Sequence, residues 1–215
     1  MSRATKVIFV RHGETEWNLQ GRFQGQLDSP LTALGQAQAE AVALRLRQTH
    51  FDHLYSSDLG RTYETARSVA KLTNHMIMKD TRLREKRGGI TQGMTSSEIR
   101  SQYPGLREKI LKGGPDYAAP EAESLNQVIA RGVEILDYYR QNYLGQTIVA
   151  ITHGGFLSAL IRHILCIPLE NPRRFHIYNT SLNILSYRND AWGVECMGDV
   201  SHLEQLATRD DIEGQ

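Results

Sequence analysis

Cysteine is scarce: Cys166 and Cys196 are the only two among 215 residues. Two unpatterned cysteines exclude a disulfide framework or a metal knuckle and fit reduced thiols in a reducing compartment. Net charge is scarce as well, since 25 Lys and Arg against 24 Asp and Glu leave +1. No global field draws the chain to nucleic acid or an anionic membrane, so affinity for a negative ligand has to be local. No apolar run approaches the roughly 18 residues of a membrane-spanning helix. The first residues lead straight into a short strand rather than a signal-peptide core, and a cytoplasmic protein is expected. His50 and His53 have a spacing able to chelate but lack a cysteine or carboxylate set, so neither a metal site nor a cofactor is expected.

What is present is an ordinary globular composition, 40% hydrophobic and 23% charged. It argues against extensive disorder, and the length fits one large α/β domain with a substantial core. That domain is expected over residues 1–207, with the polar and acidic residues 208–215 as a loose tail.

Residues 6–10 are a β-branched and aromatic run that stops abruptly at Arg11-His12-Gly13, a buried strand opening into a polar loop. Thr32 is a good N-cap for a helix with Leu34, Ala37, Ala41 and Leu44 on its buried stripe. Residues 53–57 predict a second strand, and Asp58 is placed to cap a helix from 59 to about 72 with Arg61 in its first turn. Residues 76–79 predict a third strand. Glycine pairs and three prolines between 84 and 120 predict loops and short helices. Ser124-Leu125-Asn126-Gln127 is a capping box for a long helix with Leu125, Val128, Ile129, Leu136 and Tyr139 on one face. Residues 147–151 are strongly strand-like, end at Thr152-His153-Gly154-Gly155, and precede a helix from about 156 to 165. Residues 181–187 and 192–197 predict a hairpin around Arg188-Asn189-Asp190. Strands alternating with helices make a three-layer α/β sandwich, a mostly parallel sheet with helices on both faces. Ligands of such sheets bind outside the carboxyl ends of the strands, where His12 and His153 both fall.

A lone histidine at a strand end is usually a polar cap. Here Arg11 leaves the same strand end as His12, and a guanidinium is expensive to bury without an anionic partner. Gly154 and Gly155 open a helix after His153, where backbone N–H groups can meet an anion. Arg61 adds a third cationic group at a helix start. Two arginines, two histidines and two helix N-termini at one sheet edge describe a pocket for a dianionic phosphate. His12 is the better nucleophile, because a neutral imidazole nitrogen can attack phosphorus while the flanking arginine holds the phosphate. Glu85, in Leu83-Arg84-Glu85, is the leading proton donor for the leaving alkoxide. Its competing reading is a surface glutamate paired with Arg84, Lys86 or Arg87.

These segments resemble a known family. Val10-Arg11-His12-Gly13-Glu14-Thr15-Glu16-Trp17-Asn18 is similar to the signature of the histidine phosphatase superfamily, also called phosphoglycerate-mutase-like. Residues 23–32 resemble the loop after that signature. Ser56-Ser57-Asp58-Leu59-Gly60-Arg61-Thr62 resembles the segment of the second phosphate arginine, Leu83-Arg84-Glu85 the acid motif and Thr152-His153-Gly154 the second-histidine motif. Four motifs in the right order cover nearly the whole chain. The resemblance implies that His12 becomes transiently phosphorylated while Arg11, Arg61 and His153 clamp the phosphoryl oxygens. It also implies that Glu85 protonates the leaving group and then activates water, with Asn18, Gln24, Gly25 and the Gly154 amide lining the pocket. One departure is Gly89-Ile90-Thr91-Gln92-Gly93, where family members often carry a Trp-Glu-Gly triplet: an amide replaces a carboxylate.

The mutase branch resembles longer chains, with a basic insert between the acid and the second histidine. Here His153 follows Glu85 by 68 positions. Arg100, Arg107, Lys109 and Lys112 are spread between them at helical spacing, as on a solvated face. Hydrolysis of a small phosphorylated metabolite is the expected activity. A cofactor-dependent phosphoglycerate mutase and a non-enzymatic phosphate-binding module are the alternatives. The alcohol half of the substrate and the oligomeric state are not encoded in any of these motifs.

Overall fold

Alternation in the first strand sets the layering. In β1 (Thr5–Arg11) Val7 and Phe9 join one hydrophobic cluster, while Ile8 and Val10 join a second on the opposite face. That is the two-residue period of a strand buried on both sides. The structure, a computed structural model, describes residues 4–204 and 206. The expected tail, residues 208–215, lies outside the described residues.

After β1 come α1 (Glu16–Leu19), α2 (Ala33–Arg47), β2 (His53–Ser56), α3 (Gly60–Thr73) and β3 (Ile77–Lys79). Two short helices follow, α4 (Ser96–Gln102) and α5 (Leu106–Gly113), then α6 (Leu125–Asn142), β4 (Thr147–Thr152) and α7 (Gly154–Ile164). The hairpin β5 (Leu182–Arg188) and β6 (Ala191–Asp199) completes a six-stranded sheet of order β3-β2-β4-β1-β5-β6. β3, β2, β4 and β1 run parallel, and β5 and β6 add antiparallel. Val128, Ile135, Leu136 and Tyr139 of α6 and Phe156, Leu157, Leu160 and Ile161 of α7 cover one face. Val42, Ala43 and Leu46 of α2, with Ala66 and Val69 of α3, cover the other. The three-layer α/β sandwich is therefore as the sequence predicts. Among the described residues, no helix is long and apolar enough to cross a membrane.

Three local expectations need correction. The buried stripe of α2 is Gly35, Gln38, Ala39, Val42, Ala43 and Leu46, whereas Leu44 is 53% exposed. Apolar residues surround this helix, so periodicity misplaced its face. Gly35 fixes the face instead, because a Cβ there would collide with the Glu14 backbone. Asp58 does not cap α3. The N-cap is Leu59 without a side-chain bond, and Asp58 pairs with Arg84, Nε to Oδ1 at 2.7 Å. Finally, α7 begins at Gly154 directly after His153 rather than near 156.

Candidate active site

Arg11 pairs with Thr152 across the parallel β1–β4 register. The chain therefore leaves both strands at the same level, and His12 and His153 follow side by side. The His12 N–H donates to the Thr152 carbonyl at 3.0 Å. The two imidazole centroids lie 5.3 Å apart at 62°. His12 is 3% exposed and His153 fully buried. Behind them, Asn179 Nδ2 donates to the His12 carbonyl at 3.0 Å, and Thr180 N–H donates to that of Arg11. This pins the strand end.

His12 Nδ1 lies 2.7 Å from the carbonyl oxygen of Gly13. A carbonyl only accepts, so Nδ1 carries the proton and Nε2 keeps its lone pair. Arg61 Nε donates to that lone pair at 3.3 Å. Burial holds the His12 pKa well below its ordinary value of 6.5; Arg61 and Arg11 add to this, and the Gly13 carbonyl opposes it. The ring is neutral at neutral pH, as a nucleophile has to be. His153 is lowered in the same direction by burial, then by Arg61, His12, Arg131 and Arg11.

Arg61 is 2% exposed and spends three of its other four N–H donors on one loop. Nη1 donates to the Leu27 carbonyl at 2.8 Å and to Asp28 Oδ1 at 3.1 Å, and Nη2 donates to the Gly25 carbonyl at 2.7 Å. Burial lowers the Arg61 pKa, and Asp28 and Glu85 oppose that. Arg11 donates from Nη1 to the Ile177 carbonyl at 2.8 Å. A Cβ on Gly154 would lie 3.3 Å from Arg11 Nε, so the absence of a side chain there lets α7 approach the guanidinium.

Glu85 does not pair with Arg84 or Arg87. Its carboxylate caps α7, accepting from Gly155 N–H at 2.9 Å and Phe156 N–H at 2.8 Å, and from Lys86 N–H at 2.7 Å. Asp28 does the same for α3, accepting from the N–H groups of Gly60 and Arg61. Both helix starts read as anion sites are thus met by the protein's own carboxylates, which is where negative charge is favourable. The positive charge of the pocket comes from Arg11 and Arg61.

Among the outer residues, Asn18 Oδ1 accepts from the Thr15 N–H and hydroxyl, which leaves its amide nitrogen as the group able to meet a ligand. Gln24 is buried, and its Oε1 has no partner among the described residues. Gly25 has φ of +54°, and a Cβ there would collide with Gln92 Oε1. That same Oε1 accepts from Gln26 N–H at 2.8 Å and Gly88 N–H at 3.1 Å. The amide that replaces the family's carboxylate therefore ties two pocket loops together.

Sequence reasoning missed several supporting residues. Arg131 donates to the carbonyls of Arg82 and Arg84 at 2.8 and 2.6 Å and to that of Glu85 at 3.1 Å, while pairing with Glu123 at 3.0 Å. It shapes the turn that presents Glu85. Ser57 and Asp28 fall within the family-like segments 56–62 and 23–32, where neither carries an assigned role. The signal for Arg131 was weak, a lone arginine on an amphipathic helix.

A model of the histidine phosphatase superfamily (branch 1) matches residues 7–200. The chain belongs to that superfamily. Curated relatives include the "Probable phosphoglycerate mutase GpmB" proteins of Photorhabdus laumondii and Proteus mirabilis, each 36% identical over 94% of this chain and 96% of the relative. Bacillus stearothermophilus YhfR superposes with a TM-score of 0.84 at 33% identity, over 93% of this chain and 99% of that one. A mycobacterial glucosyl-3-phosphoglycerate phosphatase complexed with VO3 gives 0.80 at 31%, over 90% and 98%. A phosphoserine phosphatase from Entamoeba histolytica, in a mutant form with phosphoserine bound, gives 0.81 at 29%, over 93% and 99%.

Proposed function

We propose that this chain is a phosphomonoesterase that hydrolyses small phosphorylated metabolites through a phosphohistidine at His12. The observation that carries this reading is the His12 tautomer. Nδ1–H is held by the Gly13 carbonyl, and Nε2 is left facing Arg61. In the first step Nε2 attacks phosphorus and the bond from phosphorus to the leaving oxygen breaks, while Glu85, entering as the carboxylic acid, gives its proton to that oxygen and becomes the carboxylate that caps α7. Arg11, Arg61 and His153 receive the charge on the phosphoryl oxygens, while Asn18, Gln24, Gly25 and Gly154 shape the rim. In the second step Glu85 takes a proton from water, which attacks the phosphohistidine and releases inorganic phosphate. The two buried guanidiniums supply the charge that a divalent cation supplies in other phosphatases, so no metal is required.

Transfer of the phosphoryl group to bound phosphoglycerate is a second reading, favoured by the names of the curated relatives. Two observations support water as the acceptor. The cations of the α4–α5 segment, Arg100, Arg107, Lys109 and Lys112, are all exposed. The phosphatase names among the structural neighbours point the same way. The test is a panel of phosphate monoesters assayed for kcat/KM with and without EDTA, and with 3-phosphoglycerate plus catalytic 2,3-bisphosphoglycerate. Phosphate release that survives EDTA and is blocked by orthovanadate is expected. Formation of 2-phosphoglycerate faster than phosphate release would make the chain a mutase.

A further inference from the structure

Ser57 follows β2 at the strand end beside His153 and is fully buried. Its hydroxyl oxygen has two partners among the described residues. The Leu59 N–H donates to it at 3.4 Å, and His153 Nε2 lies 2.9 Å away. Its backbone carbonyl is occupied separately, accepting from the hydroxyls of Ser56 and Thr62 at 2.7 and 3.0 Å. The second nitrogen of His153, Nδ1, is buried and has no hydrogen-bond partner among the described residues. Burial and the surrounding Arg61, His12, Arg131 and Arg11 keep this imidazole neutral, so one nitrogen carries a proton and the other a lone pair.

Only two arrangements exist. With the proton on Nε2, that N–H donates to Ser57 Oγ. The Ser57 hydroxyl proton then has no acceptor, and a bare lone pair on Nδ1 is left buried beside His12. With the proton on Nδ1, the Ser57 hydroxyl donates to Nε2 while its oxygen accepts from Leu59. Every group of the relay is then matched except one N–H, on Nδ1. Buried polar groups are overwhelmingly paired, so the second arrangement prevails.

We propose that Ser57 is a positioning residue that locks His153 as the Nδ1–H tautomer, so that the ring presents a donor rather than a lone pair to a phosphoryl oxygen. This rests on the phosphatase reading for its purpose but not for its measurement. The two site histidines are then fixed in the same tautomer for opposite ends. The Gly13 carbonyl binds the Nδ1–H of His12 to free a nucleophilic Nε2. The Ser57 hydroxyl binds Nε2 of His153 to free a donating Nδ1–H.

The experiment is long-range proton–nitrogen correlation on protein labelled with 15N-histidine at neutral pH without substrate, with His153 assigned by its loss in His153→Gln. The expected spectrum shows a protonated Nδ1 and an unprotonated Nε2 for His153. Ser57→Ala is expected to release the lock, giving a tautomer mixture or Nε2–H. Its kcat on phosphomonoesters should fall roughly 10–100-fold, the scale seen for residues that orient metal-bound histidines, and Ser57→Thr should restore both readouts. An Nε2–H tautomer in the unmodified protein overturns the proposal, as does an unchanged Nδ1–H tautomer in Ser57→Ala. If Ser57→Ala does not fold, the unmodified protein's spectrum decides alone. The catalytic reading fails separately, through a His12→Ala variant that retains turnover, and that result would leave the tautomer measurement standing.

Discussion

Arg61 Nε sits 3.3 Å from His12 Nε2, the nitrogen left with a lone pair when Nδ1–H is given to the Gly13 carbonyl. The guanidinium is held there by the carbonyls of Gly25 and Leu27 and by Asp28. In the proposed reaction, a phosphoryl group arriving at Nε2 meets a cation that is already placed, so little reorganisation is needed when charge develops on its oxygens.

Asp28 serves both Arg61 and the start of α3, so its removal is expected to show in two assays. Asp28→Ala should lower stability by about 1–2 kcal/mol in urea unfolding, through the lost helix cap. It should also reduce kcat/KM at least about tenfold, equivalent to ~1.4 kcal/mol. Full activity in that variant would mean that the two carbonyls position Arg61 by themselves.

Glu85→Gln removes the proton donor. The amide oxygen can still accept from the Phe156 and Lys86 N–H groups, but the NH2 in place of the second oxygen cannot accept from Gly155 N–H, so the dependence on leaving group, not the overall loss, reports acid catalysis. Alkyl phosphates, with poor leaving groups, should slow by roughly 10²–10⁴-fold, and p-nitrophenyl phosphate far less. Equal losses on both substrates would reassign Glu85 to binding or structure.

The sheet and its layers were legible because β1, β4 and the hairpin carry clean strand patterns and the α6 capping box is local. The strand-end histidines followed from the same patterns. What was not legible depended on contacts distant in sequence. Asp28 lies 33 positions from Arg61, whose backbone N–H and Nη1 it binds. Glu85 reaches an α7 N–H group 70 positions away. Neither pairing has a local signature, so the helix starts read as vacant anion sites when carboxylates already cap them. The α2 face was misread because its apolar residues are not confined to one stripe, and the decisive packing is backbone against Gly35.

Gln92 gives a test of how the departure from the family pattern is accommodated. Gln92→Leu leaves the Gln26 and Gly88 N–H groups without their acceptor. A stability loss of about 1–3 kcal/mol is expected, with a raised KM as the Gly25 loop loosens. Unchanged stability and KM would show that the amide does not hold the loops.

Stability should also fall on mild acidification. In the unfolded chain both imidazoles titrate near the ordinary 6.5, whereas His12 and His153 in the folded chain resist protonation to much lower pH. Below pH 6.5 the unfolded state therefore binds more protons, and stability drops until the folded pKa values are reached. In a series of Tm measurements on ligand-free protein from pH 8 downward, the decline that begins at about pH 6.5 should be shallower in His153→Gln. An identical slope in the variant would show that His153 does not titrate as its burial dictates.

The central claim is covalent chemistry at His12, and the most direct test is trapping the intermediate with a 32P-labelled monoester. A phosphorus–nitrogen bond is acid-labile and base-stable, so label should survive a base quench, disappear on acid treatment and map to His12. His12→Ala should show neither label nor turnover. Label that is stable to acid, or an active His12→Ala variant, would contradict the account.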